Sequence, residues 1–155
     1  HKLLQMLPEL DANSRENSAR EFLALDIHRL DKQEQNEIIE ETLSVLNHKD
    51  FQTLFGSNSR AEVALVGKVN GKEISAQVDR LVIENNRIVV VDYKTNRTPP
   101  REPADIPELY LRQMSTYKSV LEKIYPERKI QCLLIWTQGP SLMYLQNKHL
   151  ATYSP

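Results

Sequence analysis

With 155 residues, 40% of them hydrophobic and 26% charged, the chain has the composition of a soluble globular protein and enough length for one substantial core. Its 20 basic and 21 acidic residues leave a formal charge of −1, which gives no support for a large basic nucleic-acid surface but permits a small site, or one whose partner supplies the positive field. A single cysteine excludes an internal disulfide and any multi-cysteine zinc or iron–sulfur centre.

Helical patterning fills residues 1–55. "HKLLQMLPEL" places Leu3, Leu4 and Leu7 at helical spacing, with Pro8 as the expected end. His1 opens this stretch within the helical pattern and not on a methionine, so the chain is expected to be a piece of a longer polypeptide. "SRENSAREFLALDIHRL" reads as a second helix with Ser14 at its N-cap. "DKQEQNEIIEETLSVLNH" carries the strongest signal: Asp31 and Glu34 match a capping box, and Ile38, Leu43, Val45 and Leu46 are spaced for packing. "DFQTLFG" reads as a short helical turn closed by Gly56, and His28 and His48 are expected to be surface groups.

From residue 61 the pattern turns to strands. "AEVALVGKV", "KEISAQVDRLVIE" and "RIVVVDYK" are separated by Asn70-Gly71 and Asn85-Asn86, pairs that supply the left-handed conformations of tight hairpins. "TNRTPPREPADIP" is a loop, "PELYLRQMSTYKSVLEKIYP" a helix ending near Pro126, and "KIQCLLIWT" and "SLMYL" two strands around "QGP". Cys132, inside an apolar run, is expected in the core and not as a nucleophile. The sum is one α/β domain over 1–155: a helical part (1–55), then a catalytic sheet and helix (61–145). Its central mixed sheet contains an antiparallel three-stranded meander and is flanked by helices. No stretch reaches transmembrane length and none reads as a secretory leader, so a cytoplasmic location without membrane contact is expected.

The two hairpins bring charged residues together. A two-residue loop at Asn85-Asn86 sets Asp79 opposite Asp92, and one at Asn70-Gly71 sets Glu62 opposite Asp79. Directly opposed residues point to one face, and residues two apart on a strand do as well, so Lys94 joins Asp92. Glu62, Asp79, Asp92 and Lys94 are thus expected on one patch. Three carboxylates in such proximity raise one another's pKa unless a cation neutralises them, and oxygen ligands suit Mg²⁺ or Mn²⁺ better than Zn²⁺. Alternatively, these acids form ion pairs with Arg60, Arg80 or Lys94 at a sheet edge, or a bulge in either turn breaks the register.

"AQVDRLVIENNRIVVVDYKTN" followed by "YLRQMSTYKSVL" resembles the RecB-type nucleases of the PD-(D/E)XK superfamily, and more closely the C-terminal nuclease domain of the AddA subunit of bacterial AddAB helicase-nucleases. The resemblance implies a restriction-endonuclease-like core. It makes Asp79 and Asp92 the metal-binding carboxylates, Lys94 the catalytic lysine, and the Tyr93 backbone carbonyl a further metal contact. Gln113 and Tyr117 match a Q-x-x-x-Y motif that approaches the site or the DNA backbone, and their i,i+4 spacing independently puts them on one helical face; outside the family, Tyr117 reads as a packing residue. His1 matches the histidine ligand of an opening "G-x-x-x-H-x-x-L" stretch, although a histidine at a chain start is otherwise often disordered or left by a tag. Glu62 fits an upstream acid that touches the ion directly or through water. Ala76 stands where the family often has glycine, which implies a modest backbone adjustment.

The implied activity is that of a Mg²⁺-dependent deoxyribonuclease, with Mn²⁺ as a substitute and no iron–sulfur cluster: an exonuclease module of an ATP-dependent helicase-nuclease, cutting single-stranded DNA in double-strand break repair. The implied partners are DNA, helicase domains of the same polypeptide and an AddB-like second subunit. Arg97, Arg101, Arg112 and Lys118, in the loop and helix beside the site, are the candidate DNA contacts. A non-catalytic DNA-binding or structural domain is the rival reading, against which the complete Asp79, Asp92 and Lys94 set argues. A stand-alone restriction-like endonuclease is disfavoured by the opening at His1 and the near-neutral charge.

Overall fold

The computed structural model describes residues 1–151 and 153. Five strands form one sheet in sequence order: β1 (Ser59–Val69), β2 (Lys72–Ile83), β3 (Arg87–Lys94), β4 (Lys129–Trp136) and β5 (Ser141–Leu145). The first three are an antiparallel meander, β4 runs parallel to β3, and β5 returns antiparallel to β4. Helices α1 (Lys2–Met6), α2 (Ala12–Leu23) and α3 (Lys32–Asn47) precede the sheet. Helix α4 (Glu108–Ile124) makes the β3–β4 crossover that a parallel pair requires, and the short α5 (Asn147–Leu150) follows β5.

Strand alternation divides the core into two layers. Ile88 and Val90 of β3, with Cys132, Leu134 and Trp136 of β4, pack beneath Met114, Val120 and Leu121 of α4. Val89, Val91 and Tyr93, with Leu133 and Ile135, pack against Leu4, Leu7, Leu23 and Ile39 of the N-terminal helices. Both central strands are therefore buried on both faces, which explains the unbroken apolar runs. Helix α4 packs closely on β1 at Gly67, where an added Cβ would lie 3.1 Å from Val120 Cγ1.

Several local elements depart from the sequence pattern. The second helical stretch is two pieces: α2 starts after Asp11, not at a Ser14 cap, and ends at Leu23, and Asp26–His28 is a separate 3₁₀ turn closed by left-handed Arg29. Past α1, Leu7–Glu9 tightens into a 3₁₀ turn around Pro8. The Asp31–Glu34 capping box forms as expected, but Ile39, not Ile38, is the fully buried isoleucine of α3. His28 is half-buried against Phe22, and His48 accepts from the Asp50 N–H and stacks on Phe51; both have more contacts than surface groups.

Both hairpin registers close at the expected pairs, Val69 with Lys72 and Ile83 with Ile88. Asn70 and Gly71 have φ of 51° and 78°, as a type I′ turn demands. Neither Asn85 nor Asn86 has a positive φ, so the second turn closes without the left-handed backbone expected there. It is held instead by Glu84 N–H donating to Arg87 O at 2.9 Å and by the Arg87–Glu84 ion pair at 2.7 Å.

Candidate active site

One rung of the β1–β2 ladder is missing. Ala61 pairs with Arg80 and Val63 with Val78, but Glu62 does not pair with Asp79. Glu62 has φ of 53°, in the left-handed region that a side chain of its kind rarely adopts. The strands change phase there: Val78 and Leu81, three residues apart, both pack in the α4 layer, while Val82 packs in the other. Strict alternation forbids this, so the missing rung turns each strand over. Beside it the β2–β3 ladder ends at Arg80–Val91, and the strands part before Asp79 and Asp92.

The fork between β2 and β3 holds the polar groups. Asp79 Oδ2 accepts the Tyr93 backbone N–H at 2.8 Å, replacing the lost strand pairing. His1, at the N-cap of α1, sets Nε2 at 3.2 Å from the Tyr93 carbonyl and 3.5 Å from Asp79 Oδ2. On β3, Lys94 Nζ lies 2.5 Å from Asp92 Oδ2, donates to Gln113 Oε1 at 2.9 Å and sits 4.0 Å from the centre of the Tyr110 ring. Gln113 Nε2 in turn donates to Tyr117 Oη at 2.9 Å, so α4 holds the lysine through two residues one turn apart. The Lys94 main chain is fixed by Thr137 N–H donating to its carbonyl at 2.9 Å.

The two aspartates titrate in opposite directions. Burial pushes Asp92 up to about 6, and Asp79 adds to the rise, against the pull of Lys94. Burial also works against the charge on Asp79, but hydrogen bonds from His1 and the Tyr93 N–H hold this carboxyl below its usual range. The Asp79 hydrogen bond raises His1 above 6.5. Burial pushes Tyr93, Tyr117 and Cys132 each up to about 12, so none is ionised at neutral pH; Cys132, in the core, is no nucleophile.

The expected patch forms in part: the Asp79 and Asp92 carboxyls lie within reach of one another, and Asp92 of Lys94. Asp92 pairs with Lys94, Asp79 reaches across the fork to Tyr93 and His1, and Glu62 takes no part in an ion pair among the described residues. Among those residues no three histidine, cysteine or acidic side chains stand ready to hold a metal ion. The expected cations also separate. Arg112 pairs with Glu108 and lines a cleft beside Lys94. Lys118 pairs with Glu122 away from it, Arg97 lines a cleft with Glu37, Glu40 and Glu41 of α3, and Arg101 is exposed in the loop.

Sequence patterning missed the role of Arg80. Its side chain is 1% exposed and forms no ion pair among the described residues, contrary to a sheet-edge pairing with Glu62 or Asp79. The guanidinium donates to Tyr93 Oη at 3.3 Å, Ser59 Oγ at 2.9 Å and the Leu4 carbonyl at 3.1 Å, and lies 5.0 Å from the centre of the Phe55 ring. One side chain thus ties α1, β1 and β3 together directly behind His1 and Tyr93. The available signal was an arginine in phase with Val82, on a strand whose other inward positions are apolar.

The chain belongs to the PD-(D/E)XK nuclease superfamily, which it matches over residues 1–151. The fold is that of the restriction-endonuclease-like α/β core, a mixed sheet between helical layers. None of the curated proteins matches the chain. A solved structure described as SSO0001 superposes with a TM-score of 0.47 at 17% identity, covering 96% of this chain and 69% of that one.

The donors at the fork suit a hard divalent cation. Two carboxylates and a carbonyl oxygen dominate the set, with one imidazole nitrogen. Asp92 Oδ2, buried and without a directed hydrogen bond despite its proximity to Lys94, is an atom that such an ion would satisfy.

Proposed function

We propose that this domain hydrolyses DNA phosphodiester bonds with Mg²⁺, or Mn²⁺ in its place, and that it is the RecB- or AddA-type exonuclease module of a helicase-nuclease. The single-stranded substrate would come from helicase domains of the same polypeptide, working with an AddB-like subunit in cytoplasmic double-strand break repair. The observation that carries this reading is Lys94, held between Asp92 and Gln113 one residue after Tyr93, whose carbonyl faces His1 and whose N–H donates to Asp79.

His1 Nε2, the Asp79 and Asp92 carboxylates and the Tyr93 carbonyl would hold the cation, with Glu62 as an outer neighbour. The bound ion would supply Lewis acidity toward the phosphodiester and lower the pKa of water. Asp92 holds Lys94 in place, and Gln113, braced by Tyr117, fixes the direction of its ammonium group. Lys94 then meets the negative charge that develops on the attacked phosphate, where a preformed cation lowers the barrier without reorganising. Ammonium has no lone pair to offer a metal, so its work is separable from metal binding.

The test is cleavage of labelled single-stranded DNA by the intact protein with Mg²⁺ or Mn²⁺. Lys94→Ala should keep its fold and bind Mn²⁺ in calorimetry, yet lose on the order of 10²–10³ in rate. Asp92→Asn should lose rate together with metal affinity. Cleavage by Lys94→Ala at the wild-type rate would make the lysine structural and refute this mechanism.

A further inference from the structure

A cleft of about 660 Å³ opens at Lys94 on the α4 side of the sheet. Lys94 and Gln113 form its inner end, Leu109 and Tyr110 an apolar wall, and Lys72 and Arg112 its cationic rim. No acidic side chain lines it, whereas the clefts elsewhere on the surface carry Glu9, Glu122 or the three glutamates of α3. In a chain of net charge −1, cationic groups and apolar surface thus meet beside Lys94, with Arg112 steadied by Glu108 at the edge of the cleft and Lys72 in no ion pair among the described residues. Leu109 is 73% exposed at the first turn of α4, with no fold partner to explain an exposed leucine there. Tyr110 is set rigidly: its hydroxyl donates to Asn96 Oδ1 at 3.0 Å, and its ring lies against both Lys94 and Trp136.

We infer that this cleft is a nucleotide subsite, which takes the unpaired base next to the phosphate attacked at Lys94. The inference rests on the phosphodiesterase reading and deepens it. Apolar and aromatic walls receive a base of any sequence through its flat face, while cations at the rim receive the flanking phosphates. A base can leave its stack to enter such a wall only where its strand is unpaired or has been opened, so the subsite selects single-stranded substrate. Because Leu109 and Tyr110 offer no directed hydrogen bond to a base edge, the subsite reads the presence of a base and not its identity.

Two measurements on the intact protein test this. The first follows methyl resonances by NMR in EDTA during titration with a 5′-phosphorylated thymidine dinucleotide; the Leu109 methyls should shift and those of Leu25 and Ile27, exposed elsewhere, should not. The second compares Mn²⁺-supported cleavage of an oligothymidylate with that of the same strand carrying one abasic residue at successive positions. An abasic residue next to the cut bond should raise KM about tenfold. Leu109→Ala should erase that discrimination, and Lys72→Gln should weaken both substrates alike and flatten the salt dependence. Cleavage indifferent to the missing base, with silent Leu109 methyls, would overturn the subsite and leave the nuclease reading standing. Shifting Leu109 methyls without cleavage of any oligonucleotide would support the subsite and sink that reading; silent methyls with no cleavage would sink both.

Discussion

Replacing Arg80 by methionine should weaken the proposed metal site by way of the N-terminal helix. The guanidinium donates three hydrogen bonds, at 2.9–3.3 Å, to Ser59, Leu4 and Tyr93, and methionine replaces none of them. A bond from a charged donor is worth about 1.5–3 kcal/mol when removed. Several kcal/mol of desolvation are recovered once the buried charge is gone, which leaves a net loss of about 2–3 kcal/mol. In a chain of this length that lowers Tm by about 5–10 °C. The sharper effect falls on the ion. Arg80 holds the carbonyl of Leu4, three residues after His1, and the ring of Tyr93, whose carbonyl His1 faces. Loss of such an outer partner lowers metal affinity about 10–100-fold. Thermal melts in EDTA read the first quantity, and Mn²⁺ calorimetry well below Tm reads the second. If Arg80 acts through His1, Arg80→Met should weaken Mn²⁺ binding little further in a His1→Ala background. A variant that melts lower but binds Mn²⁺ as tightly as wild type would refute the positioning argument.

Three other outcomes are expected. His1 is raised above 6.5 by its bond to Asp79, so the stability it lends the metal-free fold is fully present below pH 6.5 and fades as pH rises through the raised value. The difference in Tm between wild type and His1→Gln in EDTA should shrink over that interval while wild-type Mn²⁺ affinity climbs, since a ligating nitrogen must be bare; a pH-independent difference would contradict this. Cys132, buried and pushed up to about 12, should resist iodoacetamide at pH 8 until the protein unfolds, so fast alkylation of the native state would show that the core opens there. Gly67→Ala brings a methyl to 3.1 Å from Val120 Cγ1 and should destabilise by about 1–3 kcal/mol in urea titration, an effect that Val120→Ala should relieve.

Much of the fold lies in short-range chemistry. Asn70-Gly71 can close a hairpin wherever it stands, since the left-handed conformations it needs are set by two residues, and that alone fixes the pairing of β1 with β2. The capping box of Asp31 and Glu34 and the buried run ending in "VVVDYK" are legible for the same reason. The pairing of Lys94 with Asp92, and the Gln113 and Tyr117 face of α4, follow from spacings of two and four along regular elements.

Only the tertiary structure decided which way the strands face at the fork. Alternation along a strand predicts a shared face for Glu62, Asp79 and Asp92 as long as every rung is made; Asp79 and Asp92 do meet, but the Glu62–Asp79 rung is absent and Glu62 has a left-handed backbone. Arg80 then points into the helical layer, where the Leu4 carbonyl and Ser59 hydroxyl await a donor, rather than toward the acids beside it in sequence. His1 meets a carbonyl 92 residues away because Leu3, Leu4 and Leu7 must bury themselves against that layer. Turn closure and capping are decided by neighbours in the chain. The face of a strand beyond a break, and the partner of a buried charge, are decided by what two packed layers leave unsatisfied.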